Sequence, residues 1–225
     1  RSVSRGLGDV YKRQVHRPFR AGDWPILLAS GRAGHGVPDP IQHRNVAPRS
    51  LKNVPWREDA IATVRALKAG GVVLYPTDTV WGLGCRADDA EALDALYRLK
   101  GRAGGQPSLV LVDAEGLLEE YAHPVPDIAW DLLRESGPDA RPMTLVLPGG
   151  RDVAPALLAE DGSLALRVVH DPFLQFIIRG IDVPLVSTSA NLTGQPTPGH
   201  FDEIPKAIRE GVAHICVTGS DRKGG

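Results

Sequence analysis

The chain has 225 residues, 42% of them hydrophobic, which suits one well-packed domain or a domain with a tail. No apolar run approaches the roughly 20 residues a membrane helix needs, and the basic N-terminus lacks a signal peptide's apolar core. The net charge of −1 is uneven: residues 1–50 hold nine Lys/Arg against three Asp/Glu, the remainder 17 against 24, so a broad grip on nucleic acid is not expected beyond residue 50.

In chain order, residues 1–50 show no sustained helical or strand period and are dense in Arg, Gly, Pro and His. They read as a disordered or non-native leader. The stretch at 4–14, ending Asp9 to Gln14, can be encoded by a transposon-end adapter used in sequencing libraries, and the only methionine is Met143. Native sequence is expected to begin between 15 and 55, with a domain over 51–225. Ile61, Val64 and Leu67 lie on helical spacing, and Gly70-Gly71 stops that helix. A short apolar strand follows at 72–75 and ends at Pro76. Asp88-Asp89 opens a helix through Leu93, Leu96 and Leu99. A strand at 108–112 precedes helical stretches at 115–121 and 127–136. Strands follow at 144–147 and 163–168, then a buried helix at 173–178, a strand at 184–190 and a helix near 202–210. Strands alternating with helices predict an α/β fold, a sheet with flanking helices, and the continuous apolar runs predict strands buried on both faces. Strand order does not follow from the pattern.

Three polar clusters lie where predicted strands or helices end, where open α/β sheets place ligands. Pro76-Thr77-Asp78-Thr79 follows the strand at 72–75, although it is also an ordinary turn and cap sequence. Lys100 and Arg102 end the helix from 88, where cations also complement the helix dipole. Ser187, Thr188, Ser189 and Asn191 form a hydroxyl-rich exit from an apolar strand, which could equally satisfy turn backbone. With Arg167 at the end of another strand, the set suits an amino acid beside a nucleotide phosphate. No Walker sequence, no Gly-x-Gly-x-x-Gly after a strand and no Gly-x-Ser-x-Gly elbow is present. The seven histidines are scattered without metal-ligand spacing, so no protein-held metal is expected. Cys85 and Cys216 make no disulfide framework and read as buried reduced thiols of a cytoplasmic protein.

These clusters, in this order and spacing, resemble the YrdC-like family of L-threonylcarbamoyladenylate synthases. Pro142 to Pro148 and Ser163 to Val168 add to the likeness, which covers roughly 57–225. The resemblance implies a YrdC-like twisted mixed sheet with a concave, locally positive ligand-binding face. It implies an enzyme, a nucleotidyltransferase, that makes threonylcarbamoyl-AMP and pyrophosphate from L-threonine, bicarbonate and ATP. Mg²⁺ would accompany ATP, with no permanently bound cofactor. Carried over by position, Thr79, Arg167 and Ser187 hold threonine. Arg102, Gln106, Ser163, Ser189 and Thr197 lie near ATP, while Lys100 and Arg102 carry the catalytic charge. Thr77, Thr144 and Asn191 support them, Asn191 either ordering its loop or touching ligand. The implied partners are the threonylcarbamoyl-transfer machinery acting on tRNA, with RNA contact open and no membrane.

The likeness has departures. Ala103 replaces a common proline, Leu111 stands where some relatives have a histidine, and 139–142 differs from the usual Gly-Pro approach. The chain stops before the family's final Ser/Thr-rich strand, so a truncated C-terminus is expected. Two other readings share the fold: a non-catalytic RNA-binding or ribosome-associated module, and a carbamoyl-transfer domain of the hydrogenase-maturation type.

Overall fold

The computed structural model describes residues 26–28, 54–77, 80–101, 108–135 and 142–218. Eight strands form one mixed sheet: β1 (Ile26–Leu28), β2 (Val73–Pro76), β3 (Trp81–Arg86), β4 (Leu109–Val112), β5 (Thr144–Leu147), β6 (Leu164–Val168), β7 (Leu185–Ser189) and β8 (His214–Ile215). Their order is β1-β5-β6-β4-β7-β3-β2-β8. Three neighbour pairs are parallel, β1 with β5, β6 with β4 and β2 with β8; the others are antiparallel. The expected α/β sheet with flanking helices is therefore present. Apart from β1, residues 1–53 lie outside the described residues, as do 219–225, so the leader and C-terminal expectations fall largely outside them.

Helices cover both faces. On one, α2 (Ala90–Leu99), α3 (Leu118–Tyr121), α4 (Asp127–Glu135) and α6 (Lys206–Gly211) pack through Leu93, Leu96, Leu118, Leu133 and Ile208 against Leu74, Leu83, Val110, Leu166 and Val186. On the other, α1 (Arg57–Lys68) and α5 (Pro172–Ile181) bury Ala60, Leu67, Phe173, Ile177 and Ile181 against Val73, Leu111 and Leu185. Each fully buried Leu or Ile contributes about 1.5–3 kcal/mol before chain entropy is counted. The helix starts follow from local chemistry. Asp89 caps α2 by accepting from Ala92 N, and Asp171 caps α5 by accepting from Phe173 N and Leu174 N, with Pro172 fixing the first turn. Glu58 and Asp59 at the start of α1, with Arg65 and Lys68 at its end, suit its dipole.

Three strands are absent from the sequence reading: the short edge strands β1 and β8, and β3 inside the sheet. β3 crosses the sheet through Gly82 and Gly84, residues disfavoured in strands on propensity alone. Their reason is tertiary. A Cβ on Gly84 would lie 2.6 Å from Val186 O and 2.8 Å from Tyr75 Cε1, and one on Gly82 would lie 3.1 Å from Tyr75 Cζ. The Tyr75 ring occupies the space those side chains would fill.

At the β8 edge, one carboxylate ties the chain to α1. Asp59 Oδ2 accepts from Thr218 N at 2.7 Å and from Cys216 Sγ at 3.0 Å, while Oδ1 lies 2.9 Å from His214 Nε2. Burial by itself raises this carboxyl, but the bonds from Cys216, Thr218 and His214 outweigh it and hold Asp59 below its ordinary 3.8. A depressed folded-state pKa stabilises the fold above the ordinary value, and that gain disappears as pH falls through the folded value. Asp59→Asn is expected to lower the melting temperature at neutral pH, and the gap from wild type should begin to narrow as pH falls below about 4 and close only below the depressed folded-state value. Thermal melts across pH check this. A gap that persists into acid would show that the carboxylate charge is not what holds β8.

Candidate active site on the sheet face

Alternation along the strands sends every second side chain to one face. Leu145 and Leu147 of β5, Leu164 and Leu166 of β6, and Val186 of β7 all enter the core beneath α2 and α4. Thr144, Arg167, Ser187 and Ser189 therefore turn to the opposite face, which also carries Tyr75, Leu111 and Leu185. On that face Leu109, Val146, Ala165 and Ser189 remain only partly buried, forming a shelf beside α1 and α5.

Ladder pairing fixes the positions along the shelf. Leu111 of β4 is opposite Arg167 on one side and Leu185 on the other, while Leu109 is opposite Ser187. Arg167 and Ser187 thus flank β4, two residues apart in register, with α-carbons separated by roughly 12 Å. Extending the same ladder brings Ser163, just before β6, and Ser189 to the same end of the sheet.

Arg167 is only 5% exposed, a strong commitment for a charged side chain. Thr144, 4% exposed, steadies it: Thr144 Oγ1 accepts from Arg167 Nη2 at 2.8 Å and from Nε at 3.1 Å. One edge of the guanidinium is thereby fixed in direction.

The second group centres on the loop after β7. Lys100, at the C-terminal end of α2 and 4% exposed, donates through Nζ to Ser189 O, to Asn191 O at 2.9 Å and to Asn191 Oδ1 at 3.4 Å. Its own carbonyl accepts from Thr193 N at 2.9 Å. Ser189 Oγ donates to Asn191 Oδ1, and Asn191 Nδ2 donates to Gln195 O at 2.6 Å. The geometry gives Lys100 and Asn191 the work of shaping this loop. Ser187, 9% exposed, accepts from the Tyr75 hydroxyl at 2.8 Å.

The structure thus brings Thr144 to Arg167, and Lys100 to Ser189 and Asn191. Thr77 closes a turn on Val80, its Oγ1 donating to Val80 O at 2.6 Å and accepting from Val80 N at 3.0 Å. Ser163 donates its main-chain N–H to Asp161 Oδ1, and Thr197 sits half-buried in the loop beyond β7. Thr79, Arg102 and Gln106 lie outside the described residues. Sequence reasoning did not single out Tyr75; glycines at alternate positions of the next strand were the available signal for a ring lying across it. A thiol nucleophile is excluded at Cys85, whose burial, with Asp89 and Asp88 nearby, pushes it up to about 12. Among the described residues no group of three His, Cys, Asp or Glu could hold a metal, and no helix is long and apolar enough to cross a membrane.

A family model described as "Telomere recombination", Sua5_yciO_yrdC, matches residues 65–225. The chain belongs to the Sua5/YciO/YrdC family. Relatives named threonylcarbamoyl-AMP synthase include those of Stenotrophomonas maltophilia and Bacillus subtilis. That of Stenotrophomonas maltophilia is 36% identical over 156 residues, covering 68% of this chain and 81% of its own. That of Bacillus subtilis is 32% identical over 154 residues, covering 68% of this chain and 44% of its own. The crystal structure of P. abyssi Sua5 complexed with L-threonine is similar with a TM-score of 0.64 and 26% identity, over 73% of this chain and 47% of that one. The chain thus spans less than half the length of the B. subtilis and P. abyssi relatives and most of the S. maltophilia one. The Sua5/YciO/YrdC membership agrees with the open mixed sheet and its partly exposed shelf.

Proposed function

We propose that this chain is a threonylcarbamoyl-AMP synthase, a nucleotidyltransferase that joins L-threonine, bicarbonate and ATP. The observation that carries the reading is a buried arginine, steadied by Thr144, across one strand from the hydroxyls of Ser187 and Ser189. Guanidinium recognises a carboxylate by paired hydrogen bonds, and serine hydroxyls donate to carboxylate or phosphate oxygens. In this reading Arg167 pairs with the threonine carboxylate, and Ser187 and Thr79 complete the amino-acid site. Ser163, Ser189, Thr197, Arg102 and Gln106 face the nucleotide. Lys100 and Asn191 hold the Ser189 loop in register, and Thr77 closes the turn after β2.

The chemistry needs little from the protein beyond placement. The threonine amine captures bicarbonate as a carbamate with loss of water. A carbamate oxygen then attacks the α-phosphorus of ATP, and the bond to the bridging oxygen breaks as pyrophosphate leaves. Arg102 and the shelf hydroxyls stabilise charge gathering on the phosphoryl oxygens; positioning and charge neutralisation are the main levers in such transfers. Mg²⁺ arrives with ATP as part of the substrate. The mixed anhydride product is then consumed by cytoplasmic machinery that transfers the threonylcarbamoyl group to tRNA.

Protein mixed with L-threonine, bicarbonate and MgATP is expected to release pyrophosphate only when all three are supplied. Release in the absence of threonine would point to another acceptor. No release under any combination would favour a non-catalytic RNA-binding module of the same fold.

A further inference from the structure

We propose that Tyr75 is a positioning residue that aims the Ser187 hydroxyl at the amino-acid substrate, an inference that rests on the reading of Ser187 as an amino-acid ligand. Tyr75 lies on β2 and Ser187 on β7, with β3 between them. Tyr75 is opposite Gly82 and Ser187 opposite Gly84, so they lie two strand spacings and two residues of register apart, with α-carbons separated by roughly 12 Å. The phenol closes most of that gap by lying across β3, and its hydroxyl reaches Ser187 Oγ at 2.8 Å. Glycine at 82 and 84 is what permits the crossing: a Cβ on either would press into the ring. The ring is fully buried, while Ser187 retains 9% exposure beside the shelf. Tyr75 therefore reaches Ser187 from the covered side of the sheet face and leaves its other side toward ligand.

A serine hydroxyl has one proton and two acceptor lone pairs, and alone it rotates among three staggered positions. With one lone pair taken by Tyr75, the remaining O–H is held in fewer orientations. It is thus presented as a donor, the polarity that an ionised carboxylate or carbamate oxygen requires. The sequence Tyr-Pro-Thr-Asp-Thr-Val-Trp-Gly-Leu-Gly at 75–84 then has a second purpose beyond its loop: its first residue and its glycines form one device for orienting a hydroxyl two strands away.

Tyr75→Phe removes the donor and keeps the ring. The dissociation constant for L-threonine, read by calorimetry, is expected to rise roughly three- to tenfold. In turnover the KM for threonine should rise alike, with kcat within about twofold. Ser187→Ala added to Tyr75→Phe should cost at most about twofold more, because the two groups act as one unit. An unchanged threonine affinity in Tyr75→Phe, whatever its melting temperature, overturns the proposal; so do losses from the two substitutions that simply multiply. Should Tyr75→Phe fail to fold, 4-aminophenylalanine at 75, which keeps a donor, is compared with 4-methylphenylalanine, which keeps only bulk. Equal threonine affinity in that pair overturns the proposal, and weaker affinity in the methyl variant supports it. Failure of the underlying reading is visible separately, as wild-type protein that binds no L-threonine.

Discussion

Replacing Arg167 with alanine is expected to weaken L-threonine binding by about 2–5 kcal/mol, roughly thirtyfold to several thousandfold. The size follows from where the residue sits. A 5% exposed guanidinium has already been withdrawn from water, and Thr144 Oγ1 fixes its Nε and Nη2 edge. A carboxylate entering the shelf would meet a cation that needs little further desolvation or ordering. Arg167→Met keeps most of the volume and loses the charge, so it separates recognition from packing: its affinity should fall as far as that of the alanine variant while its melting temperature stays higher. Arg167→Lys restores charge without the planar fork and should recover only part of the loss. Calorimetry with L-threonine measures all three. Affinity within a factor of two of wild type in Arg167→Met would remove Arg167 from the ligand site.

Lys100→Met is expected to cost about 2–5 kcal/mol of stability, because Ser189 O and Asn191 O are left without their ammonium donor. At about 2–4 °C per kcal/mol for a domain of this size, the melting temperature should fall by several degrees or more. The kinetic signature distinguishes two uses of the same charge. If Lys100 holds the loop, the displaced Ser187 and Ser189 raise KM for both threonine and ATP. If its charge instead stabilises the transferring phosphoryl group, kcat falls with the KM values nearly unchanged. The three contacts to the loop predict the first pattern, measured by steady-state pyrophosphate release. A stable Lys100→Met protein with a depressed kcat alone would contradict it.

Much of the sheet could be read from the chain because its strands are continuous apolar runs with obvious stops. The runs at 144–147 and 163–168 differ from the observed strands by a residue at most. β3 escaped because its glycines serve a neighbour's ring, and no local propensity encodes a neighbour. Strand order escaped for a related reason: pairing of β4 with β6 and β7 joins segments distant in sequence. In the site, alternation within β6 and β7 already places Arg167 and Ser187 on a face away from Leu166 and Val186. The bonds from Lys100 to a loop about ninety residues onward were not legible, since helix-end lysines ordinarily have a simpler explanation in the dipole. Thr79, Arg102 and Gln106 rest on family likeness, as they lie outside the described residues.

The position of β4 has a consequence for synthesis on the ribosome. Both of its neighbours, β6 and β7, come later in the chain, so Leu109–Val112 leaves the exit tunnel with two unpaired edges. At roughly 5–20 residues per second, several seconds pass before Leu185–Ser189 emerges to close the second edge. For that interval a four-residue apolar strand is a template for any passing β segment. Slowed translation between these two strands should therefore lower the yield of native protein more than slowing after β7.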